Sequence, residues 1–322
     1  MTMRRRFVAT STAGIILATS AVAFGQKSTV PGVKTGYAPV NGLNLYYEIH
    51  GTGEPLVLLH GGVVGITMFG PNLAALSEKR KVIAVELQGH GHTSDIDRPL
   101  SFESMADDIA ALIKYLGVDK TDVMGYSLGG GVALQTAIRH PESVRKLVVV
   151  SAPFKRDGFY PEVLATIEQM GPSAGERMKQ SPLYQLYPNV NWARLFTKLG
   201  DLLRKDYDWS KEVARIKAPT MIVFADADAV RAAHIMEFYG LLGGGHKDAG
   251  LDGSGRPAAQ LAILPGLTHY SMSFSPALST IVSPFLDAPM PGTQVRQTNA
   301  ACRFSIFLES RLALVESRGT RK

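Results

Sequence analysis

A single cysteine, Cys302, stands in the 322 residues. No intrachain disulfide can form, so this is not a fold stapled by cross-links, even in an oxidising compartment. The chain also lacks a surplus of charge over most of its length. Its formal net charge is +6, but residues 1–26 hold three arginines and no acid, and residues 292–322 hold six Lys/Arg against two Asp/Glu. Setting both ends aside leaves 25 basic and 26 acidic residues, a net charge of −1. A body without positive excess has nothing to attract a polyanion, and nucleic acid is not expected as a partner. No segment after residue 24 is long and apolar enough to span a bilayer. There is no internal repeat. The 45% apolar and 19% charged composition is that of a globular chain, long enough for one large α/β domain with a sizeable core.

What is present begins with an export signature. Arg4, Arg5 and Arg6 precede apolar and small residues from Phe7 to Ala23, and Ala21-Val22-Ala23 before Phe24 supplies an A-x-A cleavage site. A signal peptide over residues 1–25 is expected, with twin-arginine character from Arg4 to Val8, giving a periplasmic or secreted protein. The competing reading is a membrane anchor, but Thr10, Ser11, Thr12, Thr19 and Ser20 interrupt the stretch. No stable membrane insertion is expected after cleavage.

From residue 27 the chain alternates strands and helices. Leu43–Ile49 alternates as a half-buried strand after a polar lead-in over 27–38. Leu56–Leu59, Lys81–Val85, Leu147–Val150 and Pro219–Phe224 are continuous apolar runs, the mark of strands covered on both faces of a parallel sheet. Ser101 to Ser104 caps a helix with an apolar stripe of Met105, Ile109, Leu112, Ile113 and Leu116. The expected fold class is α/β, a doubly wound, mostly parallel sheet with an inserted helical cap. The core comprises residues 27–154 and 218–290, and the cap residues 155–217, which are too long for one crossover and carry Tyr160, Tyr184, Tyr187, Trp192, Phe196, Tyr207 and Trp209. Residues 243–255 form a surface excursion, and residues 292–322 a basic tail outside the alternating pattern.

The chemistry centres on Gly125-Tyr126-Ser127-Leu128-Gly129, a nucleophile-elbow pattern between an apolar strand and a helix. Glycine suits positions 125 and 129 because backbone approaches backbone in so tight a turn. Such a turn lifts the Ser127 hydroxyl to the carboxyl end of a sheet, at a helix N-terminus. A Gly-Ser loop can show the same five residues by chance, so the reading needs partners. A serine is a weak nucleophile without a base, and the base needs a third group to orient it. Asp226 and Asp228 follow the strand ending at Phe224, and His269 follows the strand Gln260–Leu264, in the order Ser, Asp, His.

These segments, with Val57-Leu58-Leu59-His60-Gly61-Gly62 and Pro265-Gly266-Leu267-Thr268-His269, resemble the α/β-hydrolase superfamily over about residues 40–287. The closer resemblance is to bacterial serine esterases and related cofactor-free hydrolases. It implies Ser127 as nucleophile, His269 as general base and the backbone N–H groups of Gly62 and Leu128 as oxyanion donors. The family's Gly-x-x-Asp pattern maps the acid onto Asp228, although Ala225 replaces its glycine and leaves Asp226 open. His60 is expected to hold its loop by hydrogen bonds. His234 and His246, on a helix and a surface loop, are expected to be solvated. His90-Gly91-His92 has a two-histidine spacing without a supporting Cys/Asp/Glu cluster, and neither metal nor cofactor is expected. Gly129-Gly130-Gly131 lacks the Lys-Ser/Thr of a phosphate loop and reads as close helix packing. Dehalogenases and epoxide hydrolases of this fold carry Asp where Ser127 stands, so the resemblance implies an acyl-enzyme. The leading expectation is an exported hydrolase of small or aromatic carboxylic esters. The same triad also serves a lactonase, a carbon–carbon bond hydrolase or a perhydrolase. A non-catalytic ligand binder is disfavoured by the complete set of Ser, Asp and His.

Overall fold

The computed structural model describes residues 32–290; the expected signal over 1–25 and the tail over 292–322 lie outside the described residues. Eight strands form one sheet: β1 (Lys34–Val40), β2 (Leu43–His50), β3 (Glu54–Leu59), β4 (Arg80–Val85), β5 (Thr121–Tyr126), β6 (Val144–Val150), β7 (Thr220–Ala227) and β8 (Gln260–Thr268). Their order is β1-β2-β4-β3-β5-β6-β7-β8. From β4 to β8 every pair is parallel, while β1, β2 and β4 pair antiparallel at one edge.

The apolar runs form strands because both their faces find cover. Val57 and Leu59, Val123, Leu147 and Val149, and Ile222 and Phe224 join one cluster. It packs on α2 (Phe102–Tyr115) and α3 (Leu128–Arg139), with α1 (Pro71–Ser77) intervening earlier in the chain on the opposite side. Leu56 and Leu58, Met124 and Tyr126, Val148 and Val150, and Met221 and Val223 point the other way. That strict alternation is the period-two geometry of a pleated strand. In α2, Ser101 Oγ accepts from Ser104 N at 3.0 Å, and Met105, Ile109, Leu112 and Ile113 are buried. Each such side chain contributes about 1.5–3 kcal/mol of transfer free energy.

Between β6 and β7 the chain forms α4 (Pro161–Glu168), α5 (Pro172–Arg177), α6 (Pro182–Leu186), α7 (Trp192–Leu203) and α8 (Ser210–Val213). Helix α7 buries Trp192, Leu195, Phe196, Leu199 and Leu202, a stripe at helical spacing. Beside that stripe, Arg194 and Lys198 reach Asp95 at 2.5 and 2.8 Å. The neck of this insertion is held by main-chain bonds: Arg156 N to Tyr207 O, Trp209 N to Phe154 O, Tyr160 N to Ala229 O and Arg231 N to Gly158 O. Helices α9 (Ala232–Leu241) and α10 (Pro276–Asp287) complete the fold.

Two expectations need correction. The polar lead-in over 27–38 is partly strand, because Lys34–Val40 folds back on β2. Its turn is Asn41-Gly42, with φ of +46° and +82°, the two-residue hairpin geometry that matches strand twist. His234 is not solvated either. It is buried and stacked on Phe154, with ring centroids 4.2 Å apart, and its Nε2 accepts from Phe154 N at 3.2 Å.

Candidate active site

The strand order reverses at β3, which lies between β4 and β5. In open α/β sheets, sites form at the carboxyl ends of the strands beside such a switch point. Each functional group occupies the first position after a strand: His60 after β3, Ser127 after β5, Asp228 after β7 and His269 after β8.

Ser127 sits at φ +53°, ψ −115°, a conformation that a side-chain-bearing residue holds only when its surroundings enforce it. Its N–H donates to Val150 O at 2.9 Å, and its carbonyl accepts from Gly131 N at 3.1 Å. The flanking glycines are required by contact. A Cβ on Gly125 would drive into the Gly129 carbonyl, and one on Gly129 would stand 2.5 Å from His60 O. Gly130 and Gly131 are as tight, against the Ala152 Cβ and the Phe102 ring.

Ser127 Oγ lies 3.1 Å from His269 Nε2, and His269 Nδ1 lies 3.1 Å from Asp228 Oδ1. Asp228 is nearly fully buried, and its remaining lone pairs are used. Oδ2 accepts from Ser151 Oγ at 2.6 Å and Ala225 N at 3.0 Å, and Oδ1 also accepts from Val230 N at 3.3 Å. Burial pushes this carboxyl up. The hydrogen bond and charge of His269, then the Ser151 and Ala225 donors, more than offset it and hold it below the usual carboxylate range. Asp226 does different work: it accepts from Gly266 N at 3.0 Å and Leu267 N at 3.3 Å, bracing the strand that delivers His269. The carboxylate on His269 is therefore Asp228.

The loop after β3 is fixed by His60. Its Nε2 accepts from Leu87 N at 3.1 Å, so Nδ1 carries the proton and donates to Gly61 O at 2.7 Å. Burial, with the His90 ring 5.0 Å away, pushes His60 down to about 3, and it stays neutral. Gly129 N donates to His60 O, tying this loop to the start of α3. Val63 follows at φ +66°, a conformation rarely held by a β-branched residue. Among the described residues, neither Gly62 N–H nor Leu128 N–H is spent on a hydrogen bond within the chain. Leu199 of α7 stands over Gly62, its methyls 3.8–3.9 Å from where a Cβ would sit.

The remaining histidines stand outside this set. His90 is buried and bonds Gln88 O at 3.0 Å, while His92 Nδ1 pairs with the buried Glu86 at 2.8 Å. His246 is exposed and bonds Gly240 O. A cavity of about 520 Å³ between α7 and the β4–α2 loop, lined by Gln88, His92, Asp95, Arg194 and Lys198, includes none of Ser127, Asp228 and His269. Two further side chains touch this set without being singled out by the sequence: Ser151, on Asp228, and Tyr126, whose hydroxyl donates to His269 O. Ser151 had a signal, being a polar residue directly after the apolar run of β6, the same place Ser127 holds after β5.

A mostly parallel eight-stranded sheet with a serine on its central strand-to-helix turn is the architecture of the α/β-hydrolase class. A model of the alpha/beta hydrolase fold family matches residues 54–232, more than half of the chain, and the protein belongs to that family. The human serine hydrolase BPHL is 31% identical over 223 residues, covering 65% of this chain and 73% of BPHL. The AB hydrolase superfamily protein YisY of Bacillus subtilis is 28% identical over 215 residues, 58% of this chain and 79% of YisY. Among solved structures, carboxylesterase CesB of Bacillus subtilis superposes with a TM-score of 0.63 at 20% identity, covering 80% of this chain and 93% of CesB. At that identity the likeness is one of fold.

Proposed function

We propose that this hydrolase cleaves carboxylic esters through an acyl-enzyme, with Ser127 as nucleophile, His269 as general base and Asp228 as its orienting acid. The observation that carries the reading is the relay from Ser127 Oγ to His269 Nε2 and from His269 Nδ1 to Asp228 Oδ1, each step 3.1 Å. Asp228 holds the proton of His269 on Nδ1, leaving Nε2 free to accept the Ser127 proton. As Oγ bonds to the ester carbonyl, the electron pair moves to oxygen, and the N–H groups of Gly62 and Leu128 receive the oxyanion. Leu128 opens α3, so the positive end of that helix adds to the effect. The tetrahedral species collapses, the alcohol departs with the proton from Nε2, and the acyl group stays on Oγ. Water, deprotonated by His269, then releases the carboxylic acid and restores Ser127.

The human relative's designation as a serine hydrolase supports the nucleophile, and the Tyr/Trp-containing insertion supports a small or aromatic ester as substrate. Hydrolysis of p-nitrophenyl acetate and butyrate tests the reading. Ser127→Ala is expected to lower kcat/KM at least about a thousandfold, and a fluorophosphonate to add to Ser127 in the wild type alone. Unchanged hydrolysis by Ser127→Ala overturns it. We further propose, from residues 1–25, that the enzyme is exported. A mature chain starting near Phe24, read by mass spectrometry of periplasmic or secreted protein, is the expected result, and an intact Met1 overturns it.

A further inference from the structure

Ser151, the first residue after β6, stands between the strand ends that carry Ser127 and Asp228. It is fully buried and held at φ +50°, in the region where glycine is the default and a Cβ is a burden. Its backbone is tied on both sides. Val150 O takes the N–H of Ser127 at 2.9 Å, and Ser151 N donates to Val223 O at 2.9 Å. Its hydroxyl donates to Asp228 Oδ2 at 2.6 Å, the length of a charge-assisted bond.

A carboxylate that bonds His269 through Oδ1 alone can still turn about its Cβ–Cγ bond. Two donors on the other oxygen remove that freedom, and those donors are Ser151 Oγ and Ala225 N. We propose that Ser151 is a positioning residue: its hydroxyl fixes the plane of the Asp228 carboxylate so that Oδ1 faces Nδ1 of His269. Backbone geometry argues the same way. Glycine would hold this φ without strain, so the feature that serine adds here is the hydroxyl, and the hydroxyl is spent on Asp228. The inference rests on the serine-hydrolase reading.

The test compares Ser151→Ala, which keeps the Cβ and loses the hydroxyl, with Ser151→Gly, which loses both, beside Ser127→Ala. Steady-state hydrolysis of p-nitrophenyl acetate, the rate of fluorophosphonate labelling and circular dichroism are measured on the purified protein. Both Ser151 variants are expected to fold and to keep KM within about twofold, while kcat and the labelling rate fall together by roughly tenfold to a hundredfold. Wild-type kcat in either folded variant, with Ser127→Ala inactive, overturns the positioning role and leaves the serine-hydrolase reading intact. Loss of fold in both variants also overturns it, by showing a structural role. Activity in Ser127→Ala overturns the underlying reading instead.

Discussion

The Tyr126 hydroxyl donates to the backbone carbonyl of His269, and its ring lies 5.4 Å from the imidazole at 35°. The residue preceding Ser127 thus grips the loop that carries His269. Burial, then the charge of Asp228, push the phenol up, so it remains a donor. Tyr126→Phe leaves a buried carbonyl unpaired and should cost about 1–3 kcal/mol of stability. Roughly a tenfold drop in kcat at unchanged KM is expected as the imidazole loses its register. Thermal melts and ester kinetics check both, and an unaltered kcat would show that the His269 loop holds itself.

Asp95 fastens α7 to the core through Arg194 and Lys198, at a partly exposed site. Asp95→Ala should cost only about 1 kcal/mol globally, because solvent screens such pairs. Locally the change is larger. Amide exchange in residues 192–203 should quicken while the strands stay protected. Uniform exchange across both regions argues against this attachment.

Gly129 and Gly62 should respond differently to alanine. At 129 a Cβ meets the Leu59 and His60 carbonyls, which the sheet cannot move; at 62 it meets methyl groups of Leu199 at ordinary distance. Gly129→Ala should lose about 3 kcal/mol or more, in the range of severe overpacking, whereas Gly62→Ala should melt within about 0.5 kcal/mol of wild type. Denaturant titrations decide, and equal effects contradict the packing account.

Three buried histidines make stability depend on pH. Chiefly through burial, His60 is held down to about 3, and His90 and His234 to about 4 each. The unfolded chain binds their protons near 6.5, so stability is fully present above that pH and is lost as pH falls toward 4. Each contributes a slope of about 1.4 kcal/mol per pH unit in that window. His92, raised by its hydrogen bond to Glu86, opposes one of them. Urea titrations from pH 7.5 to 5 should show the decline, and His234→Gln should flatten it by about one proton. Constant stability over that range contradicts it.

Much of the architecture was legible because its signals are local. Leu56–Leu59 and Leu147–Val150 read as doubly covered strands, and Gly125 to Gly129 as a tight turn, from adjacent residues alone. What escaped depends on neighbours distant in sequence. The choice between Asp226 and Asp228 turns on which carboxylate points into the sheet edge and which reaches along β8. Ser151 gains its meaning from Asp228, 77 positions away. His234 is covered by the ring of Phe154, 80 positions away, and nothing within α9 itself signals that cover. The β1 hairpin is different: Asn41-Gly42 was a usable local signal that weak apolar patterning in Lys34–Val40 concealed.

The neck joining the helical insertion to the sheet is closed by N–H to carbonyl bonds between residues 154–160 and residues 207–209 and 229–231. Such bonds ask nothing of residue type. Evolution can exchange the helices beyond them, or an engineer can transplant new ones, while Ser127, His269 and Asp228 keep their spacing.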